Sequence, residues 1–308
     1  MKYQEHDVTI IGGGLAGLTA GIYCSRAGLQ TVLLEKIMPG GQIINADVIE
    51  NFTGFPDGIS GAELGPLAQQ QAIQHGVSIK LAEVSNIYPE EQSWIVETDG
   101  ENYRSSVVIA GSGSTLKTLG VPGEKELYGS GVSYCATCDG GFFQNQIVGI
   151  IGSGDSALDE ALVLTQYASK VILLCKSDKL TGAKSLQDRV LSNEKIEVMW
   201  NTTVKSIKGN NAVEEIEVSI GNPTNSSSVK LSGIFIYIGL VPNSSYLKHL
   251  LPLDERGHVP TDIWMHTDRS GLFAVGDLRQ HSASQLITAA GDGATAAIAA
   301  KRYIERLS

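Results

Sequence analysis

Asp7-Val-Thr-Ile-Ile-Gly12-Gly-Gly14-Leu-Ala-Gly17 is a short apolar run that ends in glycines spaced G-x-G-x-x-G. The run predicts a buried strand, the glycines a tight turn into a helix, and Thr31-Val-Leu-Leu-Glu35 a second strand. That is a complete βαβ unit of the kind that binds a dinucleotide. The first glycine permits the turn, the second lets the backbone approach a pyrophosphate, and the helix start offers free N–H groups to the anion. Ile147-Val-Gly-Ile-Ile-Gly152-Ser-Gly154-Asp-Ser-Ala157 repeats the pattern at an offset of 140 residues, with a helix through Ala161 to Tyr167 and a second strand over Val171-Ile-Leu-Leu. One such fingerprint is weak evidence, but two in full βαβ context are strong. They predict an α/β chain with two Rossmann-like, three-layer ββα dinucleotide-binding domains.

The copies differ where nucleotide identity is read. Glu35 ends the second strand of the first unit, 23 residues after Gly12, placed to accept hydrogen bonds from an adenosine ribose. The corresponding position of the second unit is Cys175, with Lys176 as the nearest cation. Neither a carboxylate for a ribose hydroxyl nor an arginine for a 2′-phosphate stands there.

Other segments arrange themselves around these units. A meander is expected over Val77 to Thr98 and another over Ile196 to Ser219, the latter turning at Asn210-Asn211. Further apolar strands follow at Val107-Val-Ile-Ala and Ile234-Phe-Ile-Tyr-Ile, and the polar stretch Gly221 to Ser228 reads as a surface loop. Leu119-Gly-Val-Pro-Gly123 and Gly239-Leu-Val-Pro-Asn243 are Pro/Gly connectors that bracket the second unit, as two crossings of one boundary would be. The second domain, over 118–242, is therefore read as an insertion into the first, over 1–117 and 243–308. Gly271-Leu-Phe-Ala-Val-Gly276-Asp277 and a Gly/Ala-rich helix from about Gln285 to Tyr303 return the chain to that first domain.

Chemistry enters with Cys135-Ala-Thr-Cys138-Asp139, fourteen residues before Gly152. C-x-x-C spacing lets two thiols close into a disulfide with little backbone movement, and it lowers a thiol pKa enough to supply a thiolate. Asp139 stands ready to move the proton that such exchange requires. Half of a zinc site looks the same, yet no second C-x-x-C and no H-x-x-x-H follows to complete it. The other two cysteines, Cys24 in the first helix and Cys175 at a strand end, read as small buried hydrophobes. His281 reads as an exposed loop imidazole, and Lys176, Lys179 and Lys184 as a solvated face.

Composition bounds these readings. A chain of 308 residues that is 42% hydrophobic buries a large core. Four cysteines are too few for a disulfide scaffold, and the start MKYQEHDVTII lacks signal-peptide architecture, so a reducing cytosol is expected. A net charge of −10 argues against nucleic acid as partner, and no apolar run is long enough to span a bilayer.

Taken together, the order of motifs resembles the low-molecular-weight thioredoxin reductases, flavoproteins with two dinucleotide-binding domains. The resemblance covers nearly the whole chain. It rests on the two fingerprints, Cys135-Ala-Thr-Cys138-Asp139, Gly40-Gly41-Gln42, Glu50-Asn51-Phe52 with Gly54-Phe55-Pro56, Gly276-Asp277, and Gln285 with Ala290-Gly291. It implies FAD at the first fingerprint, held by Gly12, Gly14, Leu15, Ala16, Gly17, Glu35 and Lys36. Gly41, Gln42, Asn51, Val84, Gly113, Gly276, Asp277, Gln285 and Leu286 complete the implied cofactor site, with Gln42 and Asn51 close to the flavin and Asp277 near its ribityl-phosphate portion. By the same resemblance Cys138 faces the isoalloxazine ring, Cys135 attacks the disulfide of thioredoxin or a similar protein, Asp139 acts as acid, and the chain forms a homodimer.

The departures from the family pattern concern the electron donor. Members that use NADPH have a His-Arg-Arg-x-x-x-Arg run after the second fingerprint's strand, where this chain reads Cys175-Lys176-Ser177-x-x-x-Thr181. Arg offers a planar, permanently charged fork to a 2′-phosphate, and a single lysine replaces little of it. An arginine that precedes Gln285 in the family is Ser284 here. Weak or absent NADPH use is therefore expected, with ferredoxin as a candidate donor. A plant-type ferredoxin near about −400 mV could reduce a thioredoxin near about −270 mV, a drop of roughly 130 mV or about 6 kcal/mol for two electrons. Two other readings stay open: an NADPH-dependent enzyme with a divergent phosphate site, and a flavin-bearing redox sensor without turnover.

Overall fold

The computed structural model describes residues 3–46, 48–221 and 225–307. In chain order its first elements are β1 (Tyr3–Ile11), α1 (Leu15–Arg26), β2 (Thr31–Glu35), α2 (Gly61–Gln74), β3 (Ser78–Leu81), β4 (Val84–Glu90), β5 (Ser93–Thr98) and β6 (Asn102–Ala110). The connector β7 (Ser114–Leu116) leads to β8 (Val132–Ser133), α3 (Ala136–Asp139), β9 (Ile147–Ile151), α4 (Asp155–Leu164) and β10 (Lys170–Leu174). Then come α5 (Lys184–Leu191), β11 (Ile196–Met199), β12 (Thr202–Lys208), β13 (Glu215–Ile220), β14 (Asn225–Lys230) and β15 (Gly233–Ile236). A second connector, β16 (Leu240–Pro242), precedes β17 (Leu272–Ala274) and α6 (Leu286–Ile304). These elements form two compact units, residues 1–115 with 241–308, and residues 116–240.

The discontinuous unit is built on a seven-stranded sheet, ordered β3-β2-β1-β6-β5-β4 with β17 also paired to β6. β1 lies parallel to both β2 and β6. Successive apolar residues of these strands point to opposite faces, and both faces are buried. Val8, Ile10, Leu33, Val107 and Ile109 pack under α1, α2 and α6, while Ile11, Val32, Leu34 and Val108 pack against Ile87, Trp94, Tyr103 and Leu247. A strand buried on both faces needs a nearly continuous apolar run, which Val32 to Leu34 supply outright and Val8 to Ile11 supply with the one small polar residue Thr9, itself buried. The sheet order reverses beside β1, and this leaves a crevice at the carboxyl ends of β1 and β6 where the first glycine turn sits.

The inserted unit repeats the plan with a five-stranded parallel sheet, β11-β10-β9-β15-β8, and a three-stranded antiparallel sheet, β12-β13-β14. Val148, Ile150, Val171, Leu173 and Phe235 pack on Leu158, Ala161 and Leu164 of α4. Ile151, Ile172, Leu174 and Ile234 pack on the other side against Val204, Ile207, Ile216 and Val218 of the antiparallel sheet. Three layers result, parallel sheet between helices and a β-meander.

Several local expectations are corrected. β3 and β11 are not parts of meanders; each extends a parallel sheet, next to β2 and β10. Asn225 to Ser228 belong to β14 rather than to a loop, paired with β13 from Asn225 to Lys230, and Asn222 to Thr224 lie outside the described residues. The second fingerprint's helix ends at Leu164, with Thr165 to Tyr167 in turns. Among the described residues no helix is long and apolar enough to cross a membrane, and no cluster of His, Cys, Asp and Glu is arranged to hold a metal.

Candidate functional site

The first glycine turn shows which of its glycines are structural and which face a ligand. Gly12 has φ of +102°, and a Cβ there would stand 2.3 Å from Gly111 O; a Cβ on Gly17 would stand 2.0 Å from Gly12 O. These two are required by chain packing itself. A Cβ on Gly14, by contrast, would meet nothing within 4 Å. Backbone therefore borders open space at Gly14, immediately before the N–H groups of Leu15, Ala16 and Gly17 at the start of α1. That helix start carries no side-chain cap and no acidic residue in its first turn, so its amides are left for an external anion. Glu35 accepts from Gly13 N at 2.7 Å through Oε2 and from Ile37 N at 2.9 Å through Oε1. Its carboxylate is fixed at the crevice with a lone pair on each oxygen still available to a ribose diol. The residues present fit an FAD-type dinucleotide.

Distant segments close around this turn. A Cβ on Gly41 would approach Gly14 Cα to 3.1 Å, and one on Gly276 would approach Ala16 Cβ to 3.2 Å. Gln42 donates through Nε2 to Ser114 O. Asn51 Nδ2 donates to Gln285 Oε1 at 3.0 Å, joining residues 234 positions apart. Gln285 is the N-cap of α6, and Leu286, its first residue, packs on the core beneath. Asp277 accepts from Ser282 Oγ at 3.2 Å, and burial pushes its carboxyl above the usual aspartate range. Gly113, with φ of +60°, has open space beyond its Cα. Lys36 forms an exposed ion pair with Glu83 at 2.6 Å, and Val84 opens β4 opposite Thr98.

One residue of this half is not legible as a site residue in the sequence. Asp292, buried on α6, accepts from Arg279 Nε at 2.6 Å and Nη2 at 3.0 Å, and from Gly276 N at 3.1 Å. It fastens the Gly276-Asp277 turn to the helix. Its signal is a lone acid in an otherwise Ala/Gly-rich helix. Asp292→Asn keeps the shape and strands the guanidinium of Arg279, which is only 17% exposed. We expect a loss of about 3 kcal/mol of stability, read as a lowered thermal midpoint, together with weaker retention of FAD.

In the inserted unit Cys135 and Cys138 form a disulfide, with Cα atoms 5.3 Å apart. Cys135 is the N-cap of α3, and Cys138 N donates to its Sγ at 3.1 Å. Cys138 is exposed and Cys135 half-buried. Ser133 organises the turn: its Oγ donates to Asp139 Oδ2 at 2.7 Å and accepts from Cys135 N at 3.0 Å. Tyr134, next to Cys135, donates to Glu124 Oε1 at 2.6 Å, and Glu124 also receives the amides of Leu119 and Gly120, each at 2.6 Å. Burial pushes the Glu124 carboxyl up, but the bonds from Tyr134 and the amides outweigh it and hold it below the usual glutamate range. Two polar groups missed by sequence reasoning, Glu160 and Tyr237, lie directly under the turn and bond to Thr137 and Ala136.

The second glycine turn is differently furnished. Gly152 has φ of +149° and is packed against Tyr237 O. Cys175 is fully buried, donates its thiol to Gly152 O at 3.3 Å, and has its pKa pushed up to about 11 by burial. It is a packing residue where the first unit has Glu35. The following loop folds back over the fingerprint: Thr181 N and Gly182 N donate to Ser153 O, and Ala183 N to Asp155 Oδ1 at 2.6 Å. Thr181 Oγ1 lies 3.2 Å from Ser153 Oγ, and Ser177 Oγ donates to Lys179 O. No guanidinium is contributed by positions 175 to 181; Lys176 and Lys179 are the cations there, both exposed.

Comparison with known proteins agrees with this geometry. Residues 6–294 match the family model described as pyridine nucleotide-disulphide oxidoreductase. The thioredoxin reductase of Bacillus subtilis is 40% identical over 309 residues, covering 98% of this chain and 96% of that protein. Among solved structures, Lactococcus lactis thioredoxin reductase in its FR conformation superposes with a TM-score of 0.96 at 37% identity, covering 98% of this chain and 99% of that one. The thioredoxin reductase of T. acidophilum gives 0.93 at 32% identity, covering 99% of each chain. With both glycine turns, the redox disulfide and full-length similarity in agreement, the chain belongs to the pyridine nucleotide-disulphide oxidoreductases, as a flavoenzyme of the low-molecular-weight thioredoxin reductase type.

Proposed function

We propose that this chain reduces the disulfide of thioredoxin or a thioredoxin-like protein, as a homodimer that draws poorly or not at all on NADPH and takes electrons from a carrier such as ferredoxin. The observation that carries the reductase reading is the Cys135–Cys138 disulfide, with Cys138 N aimed at Cys135 Sγ and Asp139 tied to the same turn through Ser133. Gly12, Gly14, Leu15, Ala16, Gly17 and Glu35 would hold the FAD dinucleotide, with Gln42, Asn51, Asp277 and Gln285 toward its flavin and ribityl parts. When bound, FAD supplies a two-electron reservoir that can also be filled one electron at a time.

The residues of the pair perform the exchange. In the reduced pair a thiolate on Cys135 is stabilised by the Cys138 amide, a charge-assisted hydrogen bond. It attacks one sulfur of the partner's disulfide, and the expelled sulfur takes a proton, for which Asp139 is placed. Cys138 then attacks Cys135 Sγ, releases the partner's second thiol and restores the Cys135–Cys138 disulfide. The partner gains two electrons and two protons.

The donor reading is supported by the loop after β10. A 2′-phosphate would meet Lys176 and two hydroxyls, Ser177 and Thr181, where a fork of arginines would bind it bidentately. Anaerobic titration followed by flavin absorption tests this. Reduced ferredoxin should bleach the flavin at stoichiometric amounts, and NADPH and NADH should do so slowly or not at all. Fast bleaching by stoichiometric NADPH would favour the reading in which Lys176 and Lys179 form a divergent phosphate site.

A further inference from the structure

A carboxyl group that the cycle above does not use lies beneath the redox turn. Glu160, half-buried on α4, accepts through Oε2 from Thr137 N at 3.2 Å and from Thr137 Oγ1 at 3.4 Å. Tyr237, the residue after β15, receives Ala136 N on its hydroxyl at 2.9 Å and is itself hydrogen-bonded to Glu160. The amides of Ala136 and Thr137 are the two that follow Cys135, and the third, from Cys138, goes to Cys135 Sγ. Every amide between the two sulfurs thus ends on Tyr237, Glu160 or sulfur.

We propose that Glu160 and Tyr237 are positioning residues for the Cys135–Cys138 pair, and that Glu160 takes one of the two protons consumed when the pair is reduced. The inference rests on the reading of that pair as the redox centre. A thiolate on Cys135 and a carboxylate on Glu160 are bonded to amides of one short turn, so the two charges oppose each other, and a proton on Glu160 removes the opposition. Burial first, and then the neighbouring Asp159, push the Glu160 carboxyl up to about 7, so its proton exchanges near neutrality. Asp159 adjoins it on its own helix, Thr137 and Tyr237 bond to it, Cys138 and Asp139 follow on α3, and α5, which also packs on α4, carries Lys184, Asp188 and Arg189. The step balances as follows: the disulfide receives two electrons, Cys138 becomes a thiol with one proton, Cys135 becomes a thiolate, and the second proton goes to Glu160. A glutamine at 160 still accepts from Thr137 N but cannot take that proton.

The test equilibrates the FAD-loaded protein with the dithiothreitol redox couple across neutral pH and counts reduced and oxidised pairs by thiol trapping and mass spectrometry. Dithiothreitol below its own thiol pKa releases two protons with two electrons. Above about pH 7, where Glu160 is ionised in the oxidised protein, the wild-type exchange constant should be flat with pH. Glu160→Gln should instead rise about tenfold per pH unit, one proton short. Below about pH 7 Glu160 is already protonated in the oxidised form, and the two curves should run parallel. The Tyr237 hydrogen bond lowers the Glu160 pKa, so Tyr237→Phe should move the break in the wild-type curve to higher pH. A folded, flavin-loaded Glu160→Gln protein whose curve stays flat with the wild type would overturn the inference. A wild-type pair that does not exchange with dithiothreitol would overturn instead the assignment of Cys135–Cys138 as the redox centre.

Discussion

Replacing either Cys135 or Cys138 by serine is expected to lower turnover with thioredoxin by on the order of 10³-fold or more, and the double variant should fall no further. The two sulfurs act as one device: removing either leaves no disulfide to cycle, so the losses do not add. FAD content should be unchanged, because neither cysteine lies in the unit that contains the first glycine turn. The variants should part company in what they trap. With Cys138→Ser, the Cys135 thiolate still attacks, nothing resolves the product, and a mixed disulfide with the partner accumulates. With Cys135→Ser, the sulfur held by the Cys138 amide is gone, and no such adduct should form. Non-reducing gel mobility with mass spectrometry reads the difference. The opposite pattern would exchange the roles of the two cysteines, and full reductase activity in Cys135→Ser would remove the pair from the mechanism.

The second large effect is a gain. Lys176→Arg, Ser177→Arg and Thr181→Arg introduced together should raise kcat/KM for NADPH by about 10²-fold or more. Each well-placed guanidinium contributes about 1.5–3 kcal/mol through charge-assisted hydrogen bonds to phosphate, and each 1.4 kcal/mol is tenfold. The sites tolerate the change. Lys176 is exposed, the Ser177 hydroxyl bonds to the carbonyl of Lys179 two residues away, and Thr181 Oγ1 lies 3.8 Å from where a Cβ on Gly154 would stand, beside the second fingerprint. Cys175 is left in place because its thiol is buried and bonded to Gly152 O. The gain should be confined to NADPH: NADH has no 2′-phosphate, and its kcat/KM should move by less than about threefold. Equal improvement for both nucleotides would mean that the arginines act through general charge, not through the phosphate.

The parallel cores were legible because their strands are apolar on both faces. Val-Thr-Ile-Ile before Gly12 and Val-Leu-Leu before Glu35 admit few other readings, and the repeat 140 residues later fixed the second unit. Failures came where pairing, not hydrophobicity, decides. β14 runs Asn-Ser-Ser-Ser-Val-Lys with almost every residue exposed, so nothing local marks it, and its conformation comes from β13 alongside. β3 lies between α2 and β4 in the chain, and its parallel partner β2 cannot be inferred from its own four residues. In the site, glycines and cysteines announced themselves by spacing. Glu160 and Tyr237 did not, since each looks like an ordinary helix or strand-end residue until the amides it serves are placed beside it, and Asp292 was marked only as a lone acid in an Ala/Gly-rich helix. Glu35 was legible as a ribose acceptor, but its grip on Gly13 N and Ile37 N depends on how the two turns fold together.

Electrons are expected to leave this protein through Cys135 and Cys138. Anaerobic photoreduction of the bound flavin, with no nucleotide present, followed by mixing with excess oxidised thioredoxin, tests it most directly. Wild type should yield one thioredoxin dithiol for every two electrons put in by light, counting those held on the Cys135–Cys138 pair as well as on the flavin, and Cys135→Ser none. A flavin that stays reduced while thioredoxin stays oxidised would contradict it, and would leave a flavin-bearing sensor as the better description of this chain.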